Sequence, residues 1–149
     1  MIAELRNLYQ EVIVDHSRRP RNFGPLPAAN RQAEGFNPLC GDRLNLHLQV
    51  VGEIIREARF EGVGCAISTA SASLLTEALK NCRVADAEAL FASFHAMLTG
   101  EHQASDAPLG KLEVLAGVRE FPGRIKCAML AWHTLRAALQ QAEQPVSTE

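Results

Sequence analysis

Apolar residues recur every three or four positions over residues 2–18. Leu5, Leu8, Tyr9, Val12, Ile13 and His16 share one side there, while Glu4, Arg6, Glu11 and Asp15 fall elsewhere. This spacing predicts an amphipathic helix that stops at Pro20. The next ten residues, RNFGPLPAAN, carry enough Pro, Gly and Asn for an irregular surface connection. Over residues 43–51 the period becomes two, with Leu44, Leu46, Leu48 and Val50 on one face and Asn45, His47 and Gln49 on the other. That predicts a half-buried strand. Val51-Gly52-Glu53 supplies a turn, after which Ile54, Arg56, Ala58 and Phe60 alternate with Ile55, Glu57, Arg59 and Glu61, predicting a hairpin. Residues 31–36 are read as a third, edge strand.

After Gly62-Val63-Gly64 the pattern turns helical. Residues 66–82 are rich in Ala, Ser and Leu with no Gly or Pro, and a second helix is expected over about 85–98. The stretch 100–108 is polar and breaker-rich, and 109–118 reads as a short helix. Phe121-Pro122-Gly123 precedes a last helix over about 125–141, whose Met129, Trp132, Leu135 and Leu139 form an inward stripe. The tail after Ala142 is expected to fray. No repeat or low-complexity segment appears. The predicted class is α+β: a small antiparallel three-stranded sheet packed against an N-terminal helix and a C-terminal helical half, all in one domain, 1–149.

Composition narrows the functional classes. With 149 residues, 47% of them hydrophobic and 21% charged, the chain can bury a core of its own. Lys+Arg at 15 against Asp+Glu at 17 gives a net charge of −2 with no basic block, which argues against binding nucleic acid. No apolar run approaches membrane-spanning length, and the N-terminus is amphipathic rather than leader-like, so a cytoplasmic protein is expected. Four cysteines in such a chain read as ligands or nucleophiles before disulfides.

Three of those thiols fall at junctions between elements. Cys40 lies on the bend before the first hairpin strand, Cys65 at the mouth of the helix after the second, and Cys127 at the start of the final helix. A helix N-terminus favours thiolate, and Arg124 and Lys126 push Cys127 the same way. Gly41 follows Cys40, and Gly62 and Gly64 precede Cys65, letting the backbone turn tightly or approach an ion. Together Cys40, Asp42, Cys65 and Cys127 offer three sulfurs and one oxygen, a set that fills the tetrahedral shell of zinc. The spacing has no CxxC pair, so ordinary turn chemistry plus small buried thiols stands as the alternative. Cys82 is assigned to packing. His16 is read as a cap or packing residue, and His47, His95, His102 and His133 have no ligand pattern around them. In Gly62-Val63-Gly64 the place of a third glycine is taken by Ile67, so no dinucleotide loop is expected.

Four blocks in order extend this reading: YQEVIVDHSRRPRNFG at 9–24, NPLCGDR at 37–43, GVGCAISTASASLLTE at 62–77 and RIKCAMLAW at 124–132. They resemble the NifU N-terminal/IscU/SufU family of iron–sulfur cluster assembly proteins over nearly the whole chain. The IscU branch places a histidine before its last cysteine and a Leu-Pro-Pro segment upstream. Here those places hold Lys126 and the stretch Glu120-Phe121-Pro122-Gly123-Arg124. The region 100–117 resembles the insertion of the SufU branch, the zinc-containing sulfur acceptors of cysteine desulfurases.

That resemblance implies zinc held by Cys40, Asp42, Cys65 and Cys127, with Asp42 where a histidine is missing. It implies a sulfurtransferase that takes persulfide sulfur from a SufS-like desulfurase, which keeps its own pyridoxal phosphate, and passes it to downstream assembly machinery. Cys40, on a loop, is the expected acceptor, held as thiolate by zinc until docking frees it. Arg124 and Lys126 either meet the partner or bias Cys127. The rival expectations are a scaffold that builds a [2Fe–2S] cluster from iron on the same thiolates, and a purely structural zinc module.

Overall fold

The structure, a computed structural model, describes residues 3–38, 40–100, 108–140 and 146–147. Helix α1 spans Ala3–Arg18 and is followed by strands β1 (Arg31–Asn37), β2 (Asp42–Val51) and β3 (Ile54–Val63). Then come α2 (Ala66–Leu79), the two-residue β4 (Cys82–Arg83), α3 (Val84–Thr99), a run of 3-10 turns over Gly110–Glu120, α4 (Ile125–Leu139) and β5 (Val146–Ser147). The sheet order is β4-β3-β2-β1-β5. Among the described residues no helix is long and apolar enough to cross a membrane.

The period-two patterns choose which sheet face is covered. Ala33, Gly35 and Asn37 of β1 and Asp42, Leu44, Leu46, Leu48 and Val50 of β2 point inward, where α4 covers them, while α2 packs on β3. On β3 the inward residues are Ala58, Phe60 and, out of phase with them, Ile55. A bulge at Gln49/Val50 shifts the register so that Val50 pairs with Ile55, and the charged Arg56 is left exposed. Burying a side chain such as Ile55 is worth about 1.5–3 kcal/mol, enough to favour the bulge over a buried arginine.

Small residues let the helices approach the sheet and one another. The Ala and Ser faces of α2 lie against α4, where Trp132 Nε1 donates to Ser71 Oγ at 3.2 Å and Ser71 Oγ donates to the Ala128 carbonyl at 2.6 Å. Trp132 stacks on Phe94 of α3 with ring centroids 4.3 Å apart. At Gly35 a Cβ would stand 2.0 Å from Thr134 Oγ1, so only glycine lets α4 lie this close to β1. Helix α1 packs on α2 and on the 3-10 run, where the ring of Tyr9 fills the space a Cβ on Gly117 would need.

Several boundaries depart from the sequence expectations. The sheet has five strands rather than three, because β4 adds antiparallel to β3 and β5 adds parallel to β1. Helix α2 ends at Leu79 instead of running to Cys82. Lys80 is extended and Asn81 adopts φ 60°, a left-handed bend that asparagine tolerates, with its N–H bonded to the Ile55 carbonyl at 2.8 Å. Cys82 therefore sits on a strand, half-buried against the core. The segment 109–118 is 3-10 in type, with Leu112, Leu115 and Val118 buried. Val146 and Ser147 pair with Gly35 and Phe36, whereas residues 141–145 and 148–149, the rest of the tail expected to fray, lie outside the described residues, as do 101–107 with His102.

Candidate metal centre

The site is built where three chain reversals meet at one end of the sheet. Asn37 and Asp42 are paired in the β1–β2 register, and Cys40 is exposed on the connection between them. Gly41 in that connection takes φ +70°, which favours glycine. Asp42, the first residue of β2, points inward and is fully buried. At the end of β3, Gly64 lies against this carboxylate: a Cβ there would stand 2.3 Å from Ser68 Oγ and 3.0 Å from Asp42 Oδ1. Cys65 is the N-cap of α2, its Sγ accepting the Ser68 N–H at 3.4 Å. Cys127, in the first turn of α4, is buried.

Among the described residues, Cys40, Asp42 and Cys127 form a group whose ligand atoms all lie within 4.8 Å of one another. The Sγ atoms of Cys40 and Cys127 are 3.2 Å apart as free thiols. Cys65 stands beside this triplet rather than inside it: its backbone N–H donates to Asp42 Oδ1 at 2.8 Å, and its thiol is near enough to act on Cys127. Burial is the main cause that pushes the Cys127 thiol well above its ordinary range, with the Cys40 hydrogen bond and the neighbouring Cys65 adding to it. Without a cation this sulfur keeps its proton. Burial likewise raises the Tyr9 phenol, with Cys65 adding to the shift.

Arg124 donates from Nη1 to Cys40 Sγ at 3.7 Å across the mouth of the site, and Lys126 is exposed nearby on α4. His16, His47 and His133 lie outside the ligand group. His16 proves to be a packing residue: it is fully buried between α1 and α2, its Nδ1 2.7 Å from Ser73 Oγ, and burial lowers its pKa, so it is neutral rather than a charged cap. His47, expected on the polar face, is buried there beside Glu61 at 3.1 Å. Sequence reasoning gave no role to Asn37, whose Nδ2 approaches Asp42 Oδ2 at 3.4 Å and Cys127 Sγ at 3.6 Å. The signal was present in the pattern, since a polar residue occupies the inward phase of β1 after Ala33 and Gly35.

A buried carboxylate and two sulfurs gathered at the end of a small sheet under helices define a chain built around a ligand cluster. It belongs to the NifU-like N-terminal domain family, which matches residues 8–128. The zinc-dependent sulfurtransferase SufU of Bacillus subtilis is 41% identical over 141 residues, covering 95% of this chain and 95% of that protein. The iron–sulfur cluster assembly scaffold protein IscU of Streptococcus pyogenes is 38% identical, covering 95% of this chain and 88% of its own. Among solved structures, that of FiSufU from Fervidobacterium islandicum, described as an iron–sulfur cluster assembly scaffold protein for the SUF system, superposes with a TM-score of 0.83 at 32% identity. The match covers 90% of this chain and 98% of that one.

Proposed function

We propose that this chain is a zinc-dependent sulfurtransferase of iron–sulfur cluster assembly, accepting persulfide sulfur on Cys40 from a SufS-like cysteine desulfurase. One observation carries the reading. Cys40, Asp42 and Cys127 converge within 4.8 Å, with Cys65 alongside, yet of these four only Cys40 is exposed. The donor set fits zinc: sulfur and carboxylate ligands stand about 2.0–2.3 Å from such an ion, and atoms gathered this closely span that scale. Cys40, Asp42, Cys65 and Cys127 would be its ligands. When bound, zinc supplies the charge that keeps these sulfurs as thiolates.

The chain's own residues do the rest. Cys127, Cys65 and Asp42 are anchored by α4, α2 and β2, whereas Cys40 rides on the loop and can reach outward. Its thiolate attacks the outer sulfur of the desulfurase persulfide. The donor's S–S bond breaks, a new S–S bond forms on Cys40, and the donor cysteine leaves as thiolate. The sulfur then passes to the cluster assembly machinery. Arg124, over Cys40, screens charge on that sulfur, and Arg124 and Lys126 together present a basic rim to the desulfurase. The chain works in the cytoplasm as a single domain, with its cysteines reduced.

The names of the IscU relatives favour a second reading, in which the same ligands carry a [2Fe–2S] cluster for transfer. Desulfurase turnover separates the two. Cys40→Ala abolishes stimulation of a cysteine desulfurase while leaving the circular dichroism of the chain unchanged. Undiminished stimulation by that variant, or a transferable cluster after anaerobic reconstitution of the wild type, supports the scaffold instead.

A further inference from the structure

Asn37 ends β1 and is 1% exposed, in the inward slot that continues Ala33 and Gly35. A primary amide in such a slot needs partners. Its Nδ2 faces Asp42 Oδ2 at 3.4 Å and Cys127 Sγ at 3.6 Å, while its Oδ1 has no hydrogen-bond partner among the described residues. Turning the amide over would aim its carbonyl oxygen at a carboxylate oxygen and a sulfur, both acceptors once ionised. The surroundings therefore select the orientation with N–H groups toward the ligands, although it leaves the carbonyl unpaired. Packing does not explain that choice, because an apolar residue of similar size would fill the slot with nothing unsatisfied.

We propose that Asn37 is a positioning residue of the metal centre, donating one N–H to the Asp42 carboxylate and the other to the Cys127 sulfur so that both face a common cation. The inference deepens the zinc reading above and rests on it. Asp42 Oδ1 is already held by the Cys65 N–H at 2.8 Å, so with Oδ2 held by Asn37 the carboxylate cannot rotate without breaking a bond. Both donors favour the ionised ligands, which are the forms that bind metal. Asn37 thus ties β1 to β2 and α4 through the donor atoms themselves.

The test uses the full chain as wild type, Asn37→Leu and Asn37→Ala, with three readouts. These are zinc affinity by competition with a chromogenic chelator, the absorption spectrum of the cobalt-loaded protein, and thermal unfolding without metal. Asn37→Leu is expected to bind zinc about 10- to 100-fold more weakly, to show altered cobalt bands, and to unfold without metal at or above the wild-type temperature. A residue that merely packs would give the reverse: wild-type affinity and spectrum with lowered metal-free stability. That result overturns the proposal. Should Asn37→Leu fail to fold, Asn37→Ala is read by the same criteria of affinity and spectrum. A wild type that binds no zinc removes the underlying reading, whereas wild-type affinity in a folded Asn37 variant removes this inference alone.

Discussion

Asp42 Oδ1 accepts the backbone N–H of Cys65 at 2.8 Å, so the first residue of β2 holds the N-cap of α2. Two ligand candidates separated in sequence are thereby joined by a bond that owes nothing to an ion. Asparagine at 42 keeps an acceptor for that N–H but loses the negative charge. Asp42→Asn should therefore fold with an unchanged circular dichroism spectrum and bind zinc at least about tenfold more weakly in a chelator competition. Wild-type affinity in the variant would remove Asp42 from the ligand set.

Helix α1 is tied to α2 by a neutral histidine, and this makes stability depend on pH. His16 is pushed below its ordinary value of 6.5 first by burial, then by Arg21 and Lys111, with Glu77 and Asp15 opposing. In the unfolded chain it takes up a proton near 6.5, and in the fold only at lower pH. Between those two values the unfolded state binds more protons, so its contribution to stability is complete above 6.5 and is lost as pH falls toward the folded value. His133, lowered first by burial, acts with the same sign. The urea midpoint of the metal-free protein should fall on acidification through this window, and His16→Asn should flatten the dependence. A slope unchanged by that variant would contradict the assignment.

The close approach of α4 to the sheet gives a prediction about stability alone. Gly35→Ala places a methyl group 2.0 Å from Thr134 Oγ1 and 3.0 Å from Leu130 Cδ1. It should cost about 1–3 kcal/mol in urea unfolding. The double variant Gly35→Ala with Thr134→Ala should recover part of that loss.

Long elements with strong periodicity were legible in the sequence. Helix α1, the β2–β3 hairpin and α4 each repeat their apolar spacing often enough to overcome local exceptions. The two-residue strands β4 and β5 carry no period at all, and the bulge that turns Ile55 inward is decided by Val50 across the strand pair. The end of α2 depended on Asn81 taking a left-handed conformation, for which the composition of 66–82 held no strong breaker. In the site, Cys40, Asp42 and Cys127 could be chosen by chemical type and junctional placement, since thiols and carboxylates are the groups that bind zinc. Asn37 could not be chosen by type, because an amide is no zinc ligand; its inward phase on β1 marked it as unusual, but only its distances to Asp42 and Cys127 show what it faces.

Chelation separates a metal centre placed on a fold from a metal that makes the fold. The chain buries a large core around Trp132, Phe94 and Leu46, remote in kind from the polar ligand cluster. Removing zinc should lower the melting temperature, since a ligand present at about a thousand times its dissociation constant contributes about 4 kcal/mol. The helical circular dichroism should persist at room temperature. Complete unfolding on chelation would mark a structural zinc module instead.

The central claim, that Cys40 receives sulfur, is tested most directly by peptide mass spectrometry. The zinc-loaded chain is incubated with a cysteine desulfurase and cysteine, then alkylated. The expected result is one added sulfur on the peptide carrying Cys40, with none on those carrying Cys65, Cys82 or Cys127. Added sulfur on another cysteine, or none on any while the desulfurase is active, would contradict the account.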